Sequence, residues 1–157
     1  MSVILPIKDG KVKARRMRPE DEPFIYSSWL KSFRKSKVNT GLGGQAYHNK
    51  QSQRITQILE RDNTRVIVAC DTEDDDLILG YCVFEIKTSE AILHYVYVKE
   101  SFRRMQIASA LVKMLRSEIR DKPFWYSHLP ANEELLEAAQ KFNIEYDPDL
   151  AGGTNGK

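Results

Sequence analysis

The sequence predicts a single α/β (α+β) domain built around a mixed, mostly antiparallel β-sheet. Its 157 residues, 41% of them hydrophobic, are enough to form one buried core. The middle of the chain contains three runs rich in β-branched and aromatic residues. Beyond them, an amphipathic helix pattern lies between two strand patterns, and such a crossover joins parallel strands. We expect residues 1–150 to form this domain and residues 151–157 to form a disordered tail.

The first part of the chain predicts one strand and two helices. Residues 11–18 have a strand pattern. Pro19 and the acidic residues after it are typical of a helix start, and apolar residues recur at helical spacing from Phe24 onward. Residues 36–50 contain glycine, serine and asparagine and predict a loop. A second, shorter helix is expected to end near Arg61.

The three β-rich runs predict an antiparallel meander, because only short polar segments join them. They cover residues 65–70, 77–86 and 91–98. The acidic segment of residues 71–76 has the carboxylates to bind a cation, but a solvated hairpin turn is the simpler interpretation.

The last third of the chain predicts a helix, a strand, a helix and a short strand. Apolar residues recur at helical spacing from Ile107 to Ile119 and form one face of an amphipathic helix. The later elements are predicted over residues 123–129, 132–142 and 144–146.

The charge of the chain gives little reason to expect a nucleic-acid partner. The formal net charge is only +2, so no strong overall field would attract phosphates. A local basic patch is present, but it lacks interleaved aromatic residues. It comprises Arg15, Arg16, Arg18, Arg34, Lys35 and Lys37.

The two cysteines indicate a reducing compartment. Cys70 and Cys82 both fall inside strand patterns, where a free thiol behaves as a small buried hydrophobe. The apolar run at the start of the chain is too short for a signal sequence, and no later run approaches membrane-spanning length. We therefore expect a cytoplasmic protein that does not associate with membranes.

The segment SFRRMQIASAL, residues 101–111, connects a predicted strand to a predicted helix. Unpaired N–H groups and the helix dipole at such a junction favour an anion, and Arg103 and Arg104 add positive charge there. Ala108 and Ser109 are small enough to let a ligand approach the backbone. These features support an anion site, although a solvated basic turn would explain them equally well.

The order of elements and this segment together resemble the GNAT N-acetyltransferase family. In that family the fourth strand ends in a valine, and a loop of pattern Arg/Gln-x-x-Gly-x-Gly/Ala then binds the pyrophosphate of acetyl-coenzyme A (acetyl-CoA). Val98 matches the valine, and Arg103 and Ala108 match the ends of the pattern, whereas Gln106 replaces the first glycine. Residues 27–30 are also loosely similar to phage-encoded members of the family.

The resemblance implies a fold and a cosubstrate. The sheet should have six to seven strands with helices on both faces, and the third helix should connect the fourth and fifth strands. Acetyl-CoA is the implied cosubstrate, and no metal is implied. If φ of Gln106 is helical, the loop can still donate its N–H groups. The implied binding residues are Val96, Tyr97, Val98, Arg103, Arg104, Met105, Gln106, Ile107, Ala108, Ser109 and Asn132.

The resemblance also suggests catalytic candidates. His94 lies four residues before Val98, where arylalkylamine members of the family have a histidine that helps to remove protons from the amine. A histidine packed in the sheet with its nitrogens satisfied is the alternative interpretation. Glu85, acting through water, is a second candidate base. Tyr126 and Tyr146 are candidates to protonate the departing thiolate.

One departure from the family pattern keeps a second function open. Ala139 occupies the position of the tyrosine that protonates the thiolate in much of the family. The first hypothesis is an N-acetyltransferase whose acceptor is an amine of a small molecule or a protein. The second is a catalytically degenerate binding or structural module that still binds coenzyme A. The residues leave both a monomer and a homodimer open.

Overall fold

The computed structural model describes residues 3–5, 7, 10–35, 44–126, 137, 139–141 and 144–147, with the backbone alone at 32–35, 44–48 and 103–105. The helices are α1 (Glu22–Lys35), α2 (Gly44–Glu60) and α3 (Ile107–Ile119), and residues 137 and 139–141 are also helical. The strands are β1 (Val3–Ile4), β2 (Val12–Arg16), β3 (Thr64–Asp71), β4 (Ile78–Ile86), β5 (Ala91–Val98), β6 (Phe124–Tyr126) and β7 (Ile144–Tyr146).

All of these strands form one sheet in the order β1-β2-β3-β4-β5-β6-β7. Neighbouring strands are antiparallel from β1 to β5, whereas β5, β6 and β7 run parallel. The mixed, mostly antiparallel sheet and its crossover through α3 confirm the fold predicted from the sequence. The fourth and fifth predicted strands are β5 and β6, because β1 was not predicted.

Two predictions about the first third of the chain are wrong. The two-residue strand β1 was missed, since two residues are too few to show an alternating pattern. Helix α2 begins at Gly44 within the predicted loop, and its 17 residues make it longer than the 14 residues of α1. The start of α2 is almost wholly polar and shows no apolar period, although glutamine, lysine and arginine favour helix formation.

The two faces of the sheet are covered by different helices. We call these the α3 face and the α1/α2 face. The α3 face packs against apolar residues of α3, chiefly Ile107, Ala108, Leu111, Val112 and Leu115. The α1/α2 face packs against Ile25 and Trp29 of α1 and Ile55 and Ile58 of α2. Burial of both faces stabilises the sheet through the hydrophobic effect.

The two cysteines lie on opposite faces of the sheet. Cys70 and Cys82 are free and buried, on the α1/α2 face and the α3 face respectively, which confirms the prediction of buried thiols. Within the described ranges, the structure contains no helix that is both long enough and apolar enough to span a bilayer.

A buried ion pair connects β2 to the start of α1. The Arg15 guanidinium donates to both carboxylate oxygens of Asp21, at 2.7 and 3.0 Å, and to the Asp75 carbonyl oxygen at 2.8 Å. The Asp75 carboxylate pairs in turn with Lys13 and with Arg18. Arg15 and Arg18 are therefore engaged within the protein, which weakens the interpretation of the basic patch as a nucleic-acid surface.

The acidic segment after β3 forms the predicted hairpin turn. The carboxylates of Asp71 and Asp74 accept hydrogen bonds from the backbone N–H groups of Glu73 and Asp76, respectively. Across the residues with described positions, no group of three or more histidine, cysteine, aspartate or glutamate side chains could hold a metal ion.

Asp21→Ala is expected to destabilise the fold by about 3 kcal/mol, because it leaves the buried Arg15 guanidinium without its carboxylate. Chemical denaturation would measure the change in the free energy of unfolding. Asp76→Ala is the matched control, because the Asp76 side chain is exposed and its loss should change stability by less than about 0.5 kcal/mol. Equal effects of the two substitutions would contradict a stabilising role for the buried pair.

Candidate active site

His94 lies at a β-bulge in the middle of the sheet. Val83 of β4 pairs with Tyr95, and Phe84 pairs with Leu93, so His94 is an extra residue on β5. A bulge inserts one residue into a strand and redirects the side chains beyond it. Leu93 belongs to the α3 face and Tyr95 to the α1/α2 face, which places the reversal of side-chain direction at His94.

The His94 side chain contacts a carboxylate that an arginine also holds. Its Nε2 atom lies 2.6 Å from Oε1 of Glu85 on β4. Arg61, the residue after α2, donates from Nη1 to the same oxygen at 2.5 Å. His94 and Glu85 are only 2% and 3% exposed, so the contact is shielded from water. The structure thus brings together the two base candidates predicted from the sequence.

The protonation states of this pair follow from its surroundings. Burial acts to raise the pKa of Glu85, but the hydrogen bonds from His94 and Arg61 outweigh burial and lower it to about 2. Burial lowers the pKa of His94 below its ordinary value of 6.5, and the Glu85 carboxylate only partly opposes that effect. At neutral pH Glu85 is therefore an anion and His94 a neutral imidazole.

Aromatic residues form a cluster on the α1/α2 face, which includes Tyr95, the residue after His94 on β5. Trp29 of α1 is fully buried and stacks on Tyr95, with ring centroids 5.1 Å apart. Tyr97 stacks on Tyr81 at 5.4 Å and meets the edge of Phe24 at 5.9 Å. Tyr95 and Tyr97 remain half-buried, so they form the outer layer of this aromatic cluster.

The end of β5 extends past the described part of β6. Parallel pairing between the two strands runs from Ala91 with Phe124 to Leu93 with Tyr126, whereas β5 continues to Val98. The predicted cofactor residues Val96, Tyr97 and Val98 all lie in this extension.

A glycine on β4 allows the end of β5 to approach closely. A Cβ atom at Gly80 would lie 2.5 Å from the Tyr97 carbonyl oxygen, which is too close for any other residue without a backbone shift. The two strands therefore approach each other closely at the end of β5, where Gly80 pairs with Val98.

The segment between β5 and α3 forms a tight turn. Glu100–Met105 is a 3₁₀ helix, anchored by a hydrogen bond from the Phe102 N–H to the Lys99 carbonyl oxygen and by packing of Phe102 on the α3 face. Gln106 then takes φ 63° and ψ 26°, the left-handed conformation, directly before α3 begins. The condition of a helical φ at Gln106 is therefore not met, and the residue instead adopts a conformation that glycine adopts readily.

The remaining predicted cofactor residues lie around this turn. Ile107 and Ala108 bury their side chains in the α3-face core, so only their backbone can face a ligand. Ser109 is half-buried in the first turn of α3. The backbone of residues 103–105 lies in the 3₁₀ helix, and Asn132 falls outside the described residues.

Comparison with known protein families identifies the fold. The model of the family described as acetyltransferase (GNAT) matches residues 23–146, which is most of the chain. The protein belongs to the GNAT acetyltransferase family. A sequence search of curated proteins found no match.

Solved structures share the fold of this GNAT protein at low sequence identity. The YycN protein of Bacillus subtilis is 16% identical with a TM-score of 0.64, over 83% of this chain and 90% of its own. A Corynebacterium glutamicum structure named histone acetyltransferase HPA2 and related acetyltransferase is 16% identical. Its TM-score is 0.62, and the match covers 85% of this chain and 82% of that one. The aminoglycoside acetyltransferase meta-AAC0020 from a soil metagenomic sample, in complex with sisomicin, is 19% identical. Its TM-score is 0.52, and the match covers 85% of this chain and 88% of that one.

In this GNAT protein the tyrosine candidates lie apart from His94. Tyr126 on β6 packs against the α3-face core, and its ring centroid is 5.2 Å from that of Tyr146 on β7. Ala139, at the position of the family tyrosine, is 4% exposed and belongs to the same core. The candidate acids therefore lie on the side of the sheet opposite His94.

Sequence reasoning did not assign a role to Arg61. It lies 24 residues from Glu85 along the chain, and it had been considered only as the end of a helix. No local pattern marks it, because its contact with the GNAT sheet depends on how α2 packs.

Gln106→Gly is expected to stabilise the GNAT protein by about 0.5 to 1 kcal/mol. A left-handed residue with a Cβ atom costs about 1 to 2 kcal/mol, and the greater freedom of glycine in the unfolded chain offsets part of the gain. Thermal unfolding would measure the change. Gln106→Ala, which keeps a Cβ atom, is the control and should not stabilise. A lower melting temperature for Gln106→Gly would contradict the left-handed conformation.

Proposed function

We propose that this protein is an acetyl-CoA-dependent N-acetyltransferase that transfers an acetyl group to an amine by direct attack. The observation that carries the proposal is the turn between β5 and α3. Gln106 has a left-handed backbone at the position where the family loop has a glycine, so the turn keeps the glycine-type conformation without the glycine. The turn accepts this conformation at a cost of about 1 to 2 kcal/mol for a residue with a Cβ atom.

The start of α3 supports binding of the pyrophosphate. The first N–H groups of a helix have no partner within the helix, and the helix dipole adds partial positive charge there. In α3, Ala110 donates a hydrogen bond to the Gln106 carbonyl oxygen, so the helical pattern begins at the left-handed residue of the turn. We propose that this end of α3 holds the pyrophosphate, with Arg103 and Arg104 nearby in the sequence.

The extension of β5 supports binding of the pantetheine arm. Residues 96–98 continue beyond the described pairing with β6, and Gly80 holds their backbone close to β4. Backbone groups of this segment would hydrogen-bond the arm, with Asn132 on its other side. Bound acetyl-CoA would supply the thioester from which the amine takes the acetyl group.

His94 is the proposed proton acceptor for the amine. It is neutral at pH 7, because burial lowers its pKa. Since it is only 2% exposed, it would take the proton through a water molecule rather than by direct contact with bulk solvent. Glu85, with its pKa lowered to about 2, is a poor base and instead supports His94.

Tyr126 and Tyr146 are the proposed donors of a proton to the thiolate. They lie together on β6 and β7, at the other side of the sheet from His94. A thiol with a pKa of about 8.5 is a tolerable leaving group near neutral pH, so a dedicated acid aids the reaction without being required.

The burial of Ala139 favours a second candidate function. Its side chain packs into the α3-face core at the position of the family tyrosine. A protein in which that acid is lost and not replaced would bind coenzyme A without turning it over, as a binding or structural module.

The proposed function includes an acceptor and a cellular compartment. The acceptor is an amine of a small molecule or a protein, and it would approach His94 from the α1/α2 face, beside Tyr95 and Tyr97. The free, buried thiols of Cys70 and Cys82 support a reducing compartment, and we propose the cytoplasm.

Acetyl-CoA is expected to raise the unfolding temperature. A ligand at 100 times its dissociation constant stabilises the folded state by about 2.7 kcal/mol, which for a domain of this size is about 5 to 10 °C. Thermal unfolding with millimolar acetyl-CoA would test this, and desulfo-coenzyme A without its acetyl group is the control that should also bind. No rise with either ligand would contradict both candidate functions.

His94→Ala is expected to lower the rate of thiol release by about 100-fold, because a general base contributes about 10²- to 10⁴-fold. The assay would use acetyl-CoA with a panel of amines that includes an aminoglycoside, an arylalkylamine and a peptide N-terminus. The acetyl-CoA stabilisation should persist in the variant. An unchanged rate would remove His94 from the mechanism, and no turnover by the wild-type protein with any amine would favour the binding module.

A further inference from the structure

The helices that cover the α1/α2 face come from a long stretch of sequence without acidic residues. The chain contains 22 aspartates and glutamates, yet none of them lies between residues 23 and 59. This stretch includes all of α1 after its first residue and all of α2 before its last. Its six basic residues are Lys31, Arg34, Lys35, Lys37, Lys50 and Arg54. The stretch therefore concentrates positive charge in a chain whose net charge is only +2.

The basic side chains that the structure describes in this stretch are not neutralised by carboxylates. Lys31 and Lys50 are exposed, and Arg54 is half-buried. Within the described part of the chain, none of these three side chains forms an ion pair. Their charges therefore add to one another and create a positive potential on this side of the protein.

The strands of the α1/α2 face supply little negative charge in return. Because side chains alternate along a strand, the described strand residues place two carboxylates on this face, those of Glu85 on β4 and Glu145 on β7. Glu85 already pairs with Arg61 and contacts His94. Glu145 is exposed and lies two strands from β5, which is about 10 Å across the sheet. The described strands therefore offer a cationic ligand no buried carboxylate that is not already engaged.

Half-buried aromatic rings lie on the same face. Tyr95 and Tyr97 of β5 are half-buried, and so is Phe24 of α1, which meets the edge of the Tyr97 ring. Such rings pack well against another ring or an apolar body. The charged helices lie over this cluster, because Trp29, two residues before Lys31 on α1, stacks on Tyr95. A ligand beside Tyr95 and Tyr97 would therefore meet aromatic surfaces within a positive potential.

We propose that the acceptor is a small aromatic amine whose molecule also carries an anionic group, either a carboxylate or a phosphate. This inference rests on the proposed function, in which the acceptor enters beside Tyr95 and Tyr97. The amine attacks the thioester as the free base, and in that form such a molecule is an anion. The positive potential of α1 and α2 attracts an anion and repels a polycation such as an aminoglycoside.

The first experiment compares acceptors that share a ring but differ in charge. Phenylalanine carries a carboxylate and tyramine O-phosphate carries a phosphate, whereas phenethylamine and phenylalaninamide carry no anionic group. The amine of phenethylamine is more basic than that of phenylalanine and the amine of phenylalaninamide is less basic, so basicity alone cannot favour phenylalanine over both. At saturating acetyl-CoA and low salt, we expect kcat/KM for at least one anionic acceptor to exceed that of both uncharged analogues by about 10-fold or more. An equal or higher value for phenethylamine or for sisomicin would overturn the inference.

The second experiment tests whether the helix charges cause this preference. The double variant Lys31→Glu with Lys50→Glu reverses one exposed charge on each helix, and Lys11→Glu with Lys113→Glu is the matched control at exposed residues outside α1 and α2. For the anionic acceptor, we expect kcat/KM to fall by about 5-fold or more in the first variant and by less than about 2-fold in the control, with unchanged KM for acetyl-CoA in both. High salt should remove the difference, because the Debye length falls from about 30 Å at 0.01 M to about 3 Å at 1 M. Equal effects of the two variants, or an effect on acetyl-CoA alone, would contradict a role in acceptor choice.

A binding measurement separates failure of this inference from failure of the proposed function. Isothermal titration calorimetry of each amine with the wild-type protein, in the presence of desulfo-coenzyme A, requires no turnover. If amines are acetylated but phenethylamine or sisomicin is preferred, the proposed function stands and the inference fails. If no amine is acetylated, the proposed function fails and calorimetry decides the inference. Tighter binding of phenylalanine or tyramine O-phosphate than of phenethylamine would then support the inference, and any other result would overturn it.

Discussion

The bulge in β5 determines what each face of the sheet can present. Because Val83 faces Tyr95 and Phe84 faces Leu93, the backbone register between β4 and β5 skips His94. One inserted residue reverses the alternation, so that Tyr95 and Tyr97 point to the α1/α2 face while Val96 and Val98 pack on the α3 face. Without the bulge, the valines at the end of β5 would face α1 and the tyrosines would face α3. The aromatic cluster around Trp29 and the core beneath α3 both depend on this shift.

The turn after β5 is a second constraint on the fold, and its conformational cost falls on one residue. Gln106 accepts a left-handed backbone that glycine would adopt more easily. Packing of Phe102 on the α3 face and the start of α3 on either side hold this conformation, since Ile107 is fully buried. A buried residue directly after a strained one leaves the chain little freedom to relax. The shape of the turn therefore follows from packing, even though its sequence departs from the family pattern.

The elements that could be predicted from the sequence are those with a strong local pattern. The meander consists of β-branched and aromatic runs, and helix α3 has a regular apolar period. The predicted bounds of these elements and of the strand at 144–146 match the observed ones closely. The start of α2 has no such period and was read as a loop, and β1 is too short to have one. The contacts of Glu85 with His94 and Arg61 span 9 and 24 residues, so they depend on the register of the sheet and on the packing of α2. Sequence reasoning could name Glu85 and His94 as separate candidate bases, but it could not show that their side chains are in contact.

The sheet itself separates the two proton transfers of the proposed reaction. The proposed proton acceptor, His94, contacts Glu85, whose neighbours Phe84 and Ile86 belong to the α3 face, so the contact lies on the α1/α2 face. The tyrosines proposed to supply a proton to sulfur lie together on β6 and β7, with Tyr126 on the α3 face. Among the described residues, β5 is paired with β6 up to Leu93, the residue directly before His94. A thioester placed there would be reached by an amine from one face and by the tyrosines from the other. In this arrangement no residue takes part in both proton transfers. The buried Ala139, which replaces the family tyrosine, would therefore slow protonation of the thiolate without affecting deprotonation of the amine.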